Sequence, residues 1–202
     1  MKLTLLFAVT ALLATTDGPA GRTTPTSDNP VGGNAGTSLL AHPTETFNTE
    51  VKVGDPAPDF SYQGLDGRWL RLQDILAQGP VLLVFGADEL TLRVIEHERE
   101  RLMDLGVVPV AVTDVRSGAA RAIVSRNSLL FTVLSDTRGT IASQFNVVDP
   151  TNGRHRPTWF VVDPKGVVRG LGRRGLPLRG YPSLVANSLG VPIPGTTLPA
   201  SK

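Results

Sequence analysis

The stretch VFGADELTLRVIEHE, residues 84–98, sets Asp88, Glu89, Thr91 and His97 close together where an apolar run meets a charged one. Two carboxylates there could serve as general acid and base. Thr91 could serve as a nucleophile if a base lay within hydrogen-bond reach. The bland alternative is that Asp88 and Glu89 cap a helix, where negative charge is favourable near the positive N-terminal end. The chain has three histidines, His42, His97 and His155. His97 lies in IEHERER and reads as a solvated surface residue, whereas His155 precedes an arginine in a loop. Cysteine is absent from all 202 residues. That removes disulfides, thiolate nucleophiles, iron–sulfur clusters and cysteine zinc sites, together with a lipid anchor on a cysteine.

The elements that must position these groups alternate in type. Residues 80–85, PVLLVF, form a continuous apolar run, as expected of a strand covered on both faces. Residues 91–105 carry Leu92, Ile95, Leu102 and Leu105 on one helical face and Glu and Arg on the other, with Gly106 as a stop. A second buried strand is expected at 107–112, a helix at 117–127, a short strand at 131–134 and a short helix at 140–145. Residues 159–162 and 167–171 flank the turn Asp163-Pro164-Lys165-Gly166 and pair as a hairpin. A last helix covers 181–189. A β-α-β crossover followed by a hairpin and a helix gives an α/β fold, a mixed central sheet with helices on both faces.

The ends read differently. MKLTLLFAVTALLA has one lysine and then an apolar run with the length of a signal-peptide core, too short for a comfortable membrane span. The expected organisation is a signal peptide at 1–16, a flexible linker at 17–50, a folded domain at 51–190 and a loose tail at 191–202. The linker follows from its Thr, Gly, Pro, Asn and Ser content, which leaves little apolar surface to offset the entropy of ordering. Export to the periplasm or the extracellular space follows, with no stable membrane span once the signal is cleaved. A formal net charge of +2 does not call for nucleic acid. The cluster Lys165, Arg169, Arg173, Arg174 and Arg179 reads as a solvated rim. Trp69 and Trp159 read as core or sheet-face packing.

Three local motifs carry a resemblance. VGDPAPDFSYQGLDGRWLRLQDI, residues 53–75, is similar to a "G-x-x-A-P-x-F", "D-G", "L-x-D" opening through Gly54, Ala57, Pro58, Phe60, Asp66, Gly67, Leu72 and Asp74. LSDTRGTIASQFNV and RPTWFVVDPKGVV follow in the same order. Together they resemble the peroxiredoxin family, the alkyl hydroperoxide reductase and thiol-specific antioxidant (redoxin) group. The likeness covers residues 51–171. It implies a thioredoxin-like fold in which Pro157 stands at a position that is usually cis, facing the site.

In that family "F-Y-P-x-x-x-T-x-x-C" crosses the strand-to-helix turn, with the peroxidatic cysteine in the first turn of the helix. Laid on this chain without a gap, Phe85 meets the Phe, Gly86 the Tyr, Ala87 the Pro, Thr91 the Thr and Val94 the cysteine. Arg156 lies near the family's arginine. Valine has no proton to lose and no lone pair to give, so the sulfenic acid of the family's cycle cannot form. The resemblance thus implies a pseudoenzyme of antioxidant or oxidoreductase ancestry, with no catalytic residue, no cofactor and no metal. Its former pocket would comprise Thr91, Val94, Arg156 and Pro157. The expected role is a binding or scaffolding module for a protein partner or a small anion held by Thr91, helix N–H groups and Arg156. Two rivals stand beside it: non-thiol redox chemistry at that pocket, and weak copper binding through His155, near a histidine of copper chaperones that share the fold.

Overall fold

The computed structural model describes residues 50–193. The expected signal peptide, nearly all of the linker and most of the tail lie outside that span. A short hairpin, β1 (Ser61–Gln63) and β2 (Trp69–Arg71), leads into α1 (Leu72–Leu76) and the strand β3 (Val81–Phe85). Next come α2 (Glu89–His97), α3 (Arg99–Asp104), β4 (Val108–Thr113), α4 (Ser117–Arg126), β5 (Thr132–Ser135) and α5 (Thr140–Gln144). The hairpin β6 (Thr158–Val162) and β7 (Val168–Gly172) follows, and then α6 (Tyr181–Leu189).

The apolar run at β3 becomes the centre of a mixed five-stranded sheet of order β5-β4-β3-β6-β7. β3 runs parallel to β4 and antiparallel to β6. Side chains alternate across a strand, so every core strand feeds two layers. Val81, Leu83 and Phe85 point to one layer, with Val110, Val112, Leu134, Phe160 and Val162, and α1 and α5 cover it with Leu72, Ile75, Ile141 and Phe145. Leu82, Val84, Ala111, Val133 and Val161 point to the other, under Leu92 and Ile95 of α2, Leu102 of α3 and Tyr181 and Val185 of α6. Each fully buried Leu, Ile or Phe contributes about 1.5–3 kcal/mol, which is why strands with no polar face are stable only here. The β6–β7 turn forms as the sequence predicts. Asp163 receives the backbone N–H groups of Lys165 and Val167 on its side chain, each at 2.9 Å.

Several expectations are corrected. The single helix at 91–105 is two helices, broken at Glu98, whose backbone leaves the helical region (φ −95°, ψ 2°). The cause is distant in sequence: the Glu98 carboxylate accepts the N–H groups of Gly180 at 2.7 Å and Tyr181 at 2.8 Å. Glu98 is therefore buried and caps α6, although IEHERER reads as a solvated face. Trp69 is 69% exposed on the hairpin, not packed in a core, while Trp159 is partly buried against the α6 side. The Arg156–Pro157 bond is trans, since no cis peptide occurs among the described residues. Trans is the ordinary preference by about 0.5–1 kcal/mol for X–Pro, and glycine at 86 already admits the close backbone approach of this segment. Arg173 leaves the solvated rim to reach Val51 O, Asn146 O and Glu50.

Candidate functional site

The carboxyl ends of β3, β4 and β5 lie side by side, and two junctions there carry polar groups. At the first, Gly86 leaves β3 with φ +64°. A Cβ there would stand 2.8 Å from His155 O and 3.1 Å from Pro157 N, so only glycine lets the junction meet the segment before β6. Asp88 then caps α2. Its Oδ1 accepts the Thr91 N–H at 2.8 Å and the Thr91 hydroxyl at 2.7 Å. Those two bonds, the hydroxyl's first, hold the Asp88 carboxyl below its ordinary value. Glu89 takes Arg126 in a two-point pair (2.6 and 3.1 Å) and Asn127 Nδ2 at 2.8 Å, tying α2 to the end of α4.

The four residues expected to form a pocket fall into different surroundings. Thr91 is only 5% exposed and its hydroxyl proton is committed to Asp88. Asp88 is within reach as a base, but a carboxylate with a lowered pKa is a poor proton acceptor. Val94 is the sixth residue of α2, not in its first turn, and packs against the layer that holds Val84, Ile95 and Tyr181. Asp88 caps the helix so that it starts at Glu89, five residues before Val94. Arg156 is directed to the opposite layer and donates to Asn146 O at 3.2 Å, an oxygen that Arg173 also reaches at 3.2 Å. Pro157 is exposed beside it. Tyr181 is fully buried; burial, then the charges of Glu98 and Asp88, push its phenol up, so it stays neutral and offers Thr91 no base.

His155 is enclosed, its side chain 1% exposed. Nε2 lies 3.1 Å from Asp136 O and Nδ1 3.5 Å from Val112 O, with an Asp136 carboxylate oxygen 3.7 Å from Nε2. A copper ion would have to displace these carbonyl contacts. Among the described residues no three His, Asp or Glu side chains group as metal ligands.

The second junction, between β5 and α5, falls in LSDTRGTIASQFNV, which the sequence marks as a motif of the resemblance but not as a site. Asp136 is fully buried and accepts three N–H groups, from Thr140, Ile141 and Ala142, at 2.7–2.9 Å. In front of it opens a cavity of about 590 Å³ between the β1–β2 hairpin and the starts of α4 and α5. Trp69, Arg121 and Arg138 line it, but they come from three separate segments, so no single local motif brings them together. No helix of the described residues is long and apolar enough to cross a membrane.

The comparisons with known proteins agree with one another. The AhpC/TSA family matches residues 53–171, more than half of the chain. Putative peroxiredoxins of two Mycobacterium tuberculosis strains, CDC 1551 / Oshkosh and H37Rv, are each 32% identical over 124 residues, covering 56% of this chain and 79% of theirs. The crystal structure of peroxidoxin BcpB from Mycobacterium tuberculosis superposes with a TM-score of 0.63 at 21% identity, over 70% of this chain and 97% of that one. The mitochondrial 2-Cys peroxiredoxin of Plasmodium falciparum gives 0.58 at 18% identity, over 69% and 93%. With three motifs in register, a mixed sheet between two helical layers and these relatives, the chain belongs to the AhpC/TSA family and has its thioredoxin-like peroxiredoxin fold.

Proposed function

We propose that this protein is a cysteine-free member of the family that acts as a binding or scaffolding module and does not turn over peroxide through a thiol. One observation carries the reading: no residue among the 202 is a cysteine, so neither a peroxidatic nor a resolving thiol exists. Two features of the first junction support it. The Thr91 hydroxyl is committed to Asp88, and Arg156 is committed to Asn146 O. Export to the periplasm or the extracellular space belongs to the same reading and rests on residues 1–16.

The test is peroxide consumption by the purified protein with a thiol reductant present. The expected rate is that of buffer. Turnover that disappears in Thr91→Val or Arg156→Ala would overturn the reading and put a non-thiol reaction at the first junction.

A further inference from the structure

The cavity at the second junction has features that the β3–α2 junction lacks. Its volume of about 590 Å³ falls within the roughly 300–1,000 Å³ of small-molecule sites. Two guanidinium groups line it, and among the described residues neither Arg121 nor Arg138 has a carboxylate within 4.0 Å. Arg121 donates through Nε to Leu65 O at 2.8 Å, which fixes its arm and leaves its terminal amino groups without a partner among the described residues. Arg138 is exposed, and its charge reaches the phenol of Tyr62. That phenol is pushed up by burial first and by Asp136 next, with Arg138 opposing.

The wall between these groups is fixed by its own hydrogen bonds. Tyr62 donates to Ser135 O at 2.8 Å, Ser117 Oγ to Ser135 Oγ at 3.2 Å, and Ser135 Oγ to Val115 O at 2.7 Å. Asp136, next to Ser135 in this wall, is fully buried with its oxygens taken by three N–H groups. The opening sits at the carboxyl end of the edge strand β5. Two uncompensated arginines match a dianion with several acceptor oxygens. The exposed indole of Trp69 at the rim offers a flat apolar surface to whatever the anion is attached to.

We propose that this cavity binds a small phosphate-bearing molecule, with Arg121 and Arg138 on the phosphate and Trp69 against its organic part. The site rests on the reading of the chain as a binding module and gives that module a ligand class. It is separate from the Thr91–Val94 junction.

The test is a titration of the ¹⁵N-labelled full-length protein with inorganic phosphate and, in a second arm, phenyl phosphate, at constant ionic strength. Saturable amide shifts are expected at Ser117, Gly118, Arg121, Arg138 and Thr140, with the Trp69 indole moving only with phenyl phosphate. Phenyl phosphate should bind at least about threefold tighter, since it alone reaches the indole. Arg138→Ala, at an exposed position, should weaken both by about tenfold, as the loss of one charge-assisted pair does, and leave the rest of the spectrum in place. Arg121→Lys should weaken both less. Shifts that do not saturate, that spread equally over Arg169, Arg174 and Arg179, or that centre on residues 86–94 would overturn the proposal, as would an unchanged affinity in Arg138→Ala. Equal affinity for the two probes would remove Trp69 from the site. Peroxide turnover is read separately: it would sink the module reading whether or not phosphate binds.

Discussion

The β3–α2 and β5–α5 junctions sit at the same edge of the same sheet, each is closed by an aspartate, and they are built to opposite ends. Asp88 is exposed, accepts one N–H and one hydroxyl, and in doing so uses up Thr91. Asp136 is fully buried and accepts three N–H groups beneath a cavity whose two arginines have no carboxylate partner among the described residues. The junction where relatives are expected to do chemistry thus has its threonine and the nearby arginine committed to partners of their own, while its neighbour has donors to spare. Losing a reactive residue is one change; satisfying the groups around it is another, and the second decides whether a site remains.

The strongest way to break the comparison is Asp136→Ala. It strands three N–H groups, two of them buried, beside His155, so we expect a loss of about 3 kcal/mol and a melting temperature lower by roughly 10 °C. A cost under about 1 kcal/mol would mean that the cap is dispensable. Glu98→Ala comes next, at about 2 kcal/mol, because α6 loses the carboxylate on its first two N–H groups; urea unfolding measures it, and Glu98→Gln should recover part of the loss. Asp88→Ala should cost only about 1 kcal/mol, the ordinary price of an exposed N-cap. If it matched Asp136→Ala, the two junctions would not differ as described.

A smaller effect concerns acid. Hydrogen bonding from Thr91 lowers the Asp88 carboxyl, and at Asp163 burial, which raises it, is outweighed by the Val167 N–H, Arg169 and the Lys165 N–H. A carboxylate with a depressed folded pKa stabilises the fold above its unfolded value, near 3.9. That stabilisation is lost as pH falls through the lower folded value. Stability should therefore decline from about pH 4 downward, and Asp163→Asn should flatten the decline by less than one proton's worth. A steeper decline in the variant would reverse the sign assigned to Asp163.

The parts of this fold that a sequence displays are those fixed by local pattern. The run PVLLVF is apolar on both faces because both layers cover it, and the Asp163 turn closes within its own residues. The bounds of α6 read correctly because a glycine stands on each side of it, Gly180 and Gly190. The break at Glu98 was hidden because its partners, Gly180 and Tyr181, are more than 80 residues away. Trp69 reads as core or sheet-face packing beside an alternating strand, but β1 and β2 form a separate two-stranded sheet and leave it 69% exposed. The missing thiol was plain from composition alone. The commitment of Thr91 and Arg156 was not, since it depends on where Asp88 starts the helix and on which layer faces Arg156.

Whether the first junction has closed beyond its missing thiol is answered most directly by Val94→Cys. The residue lies past the first turn of α2, beyond the reach of the helix's free N–H groups, and packs against an apolar layer. The thiol should titrate at or above about 8.5 and react with hydrogen peroxide no faster than free cysteine. A pKa lowered by two units or more, with rapid formation of a sulfenic acid, would show instead that the peroxide frame is intact and that Val94 alone silences it.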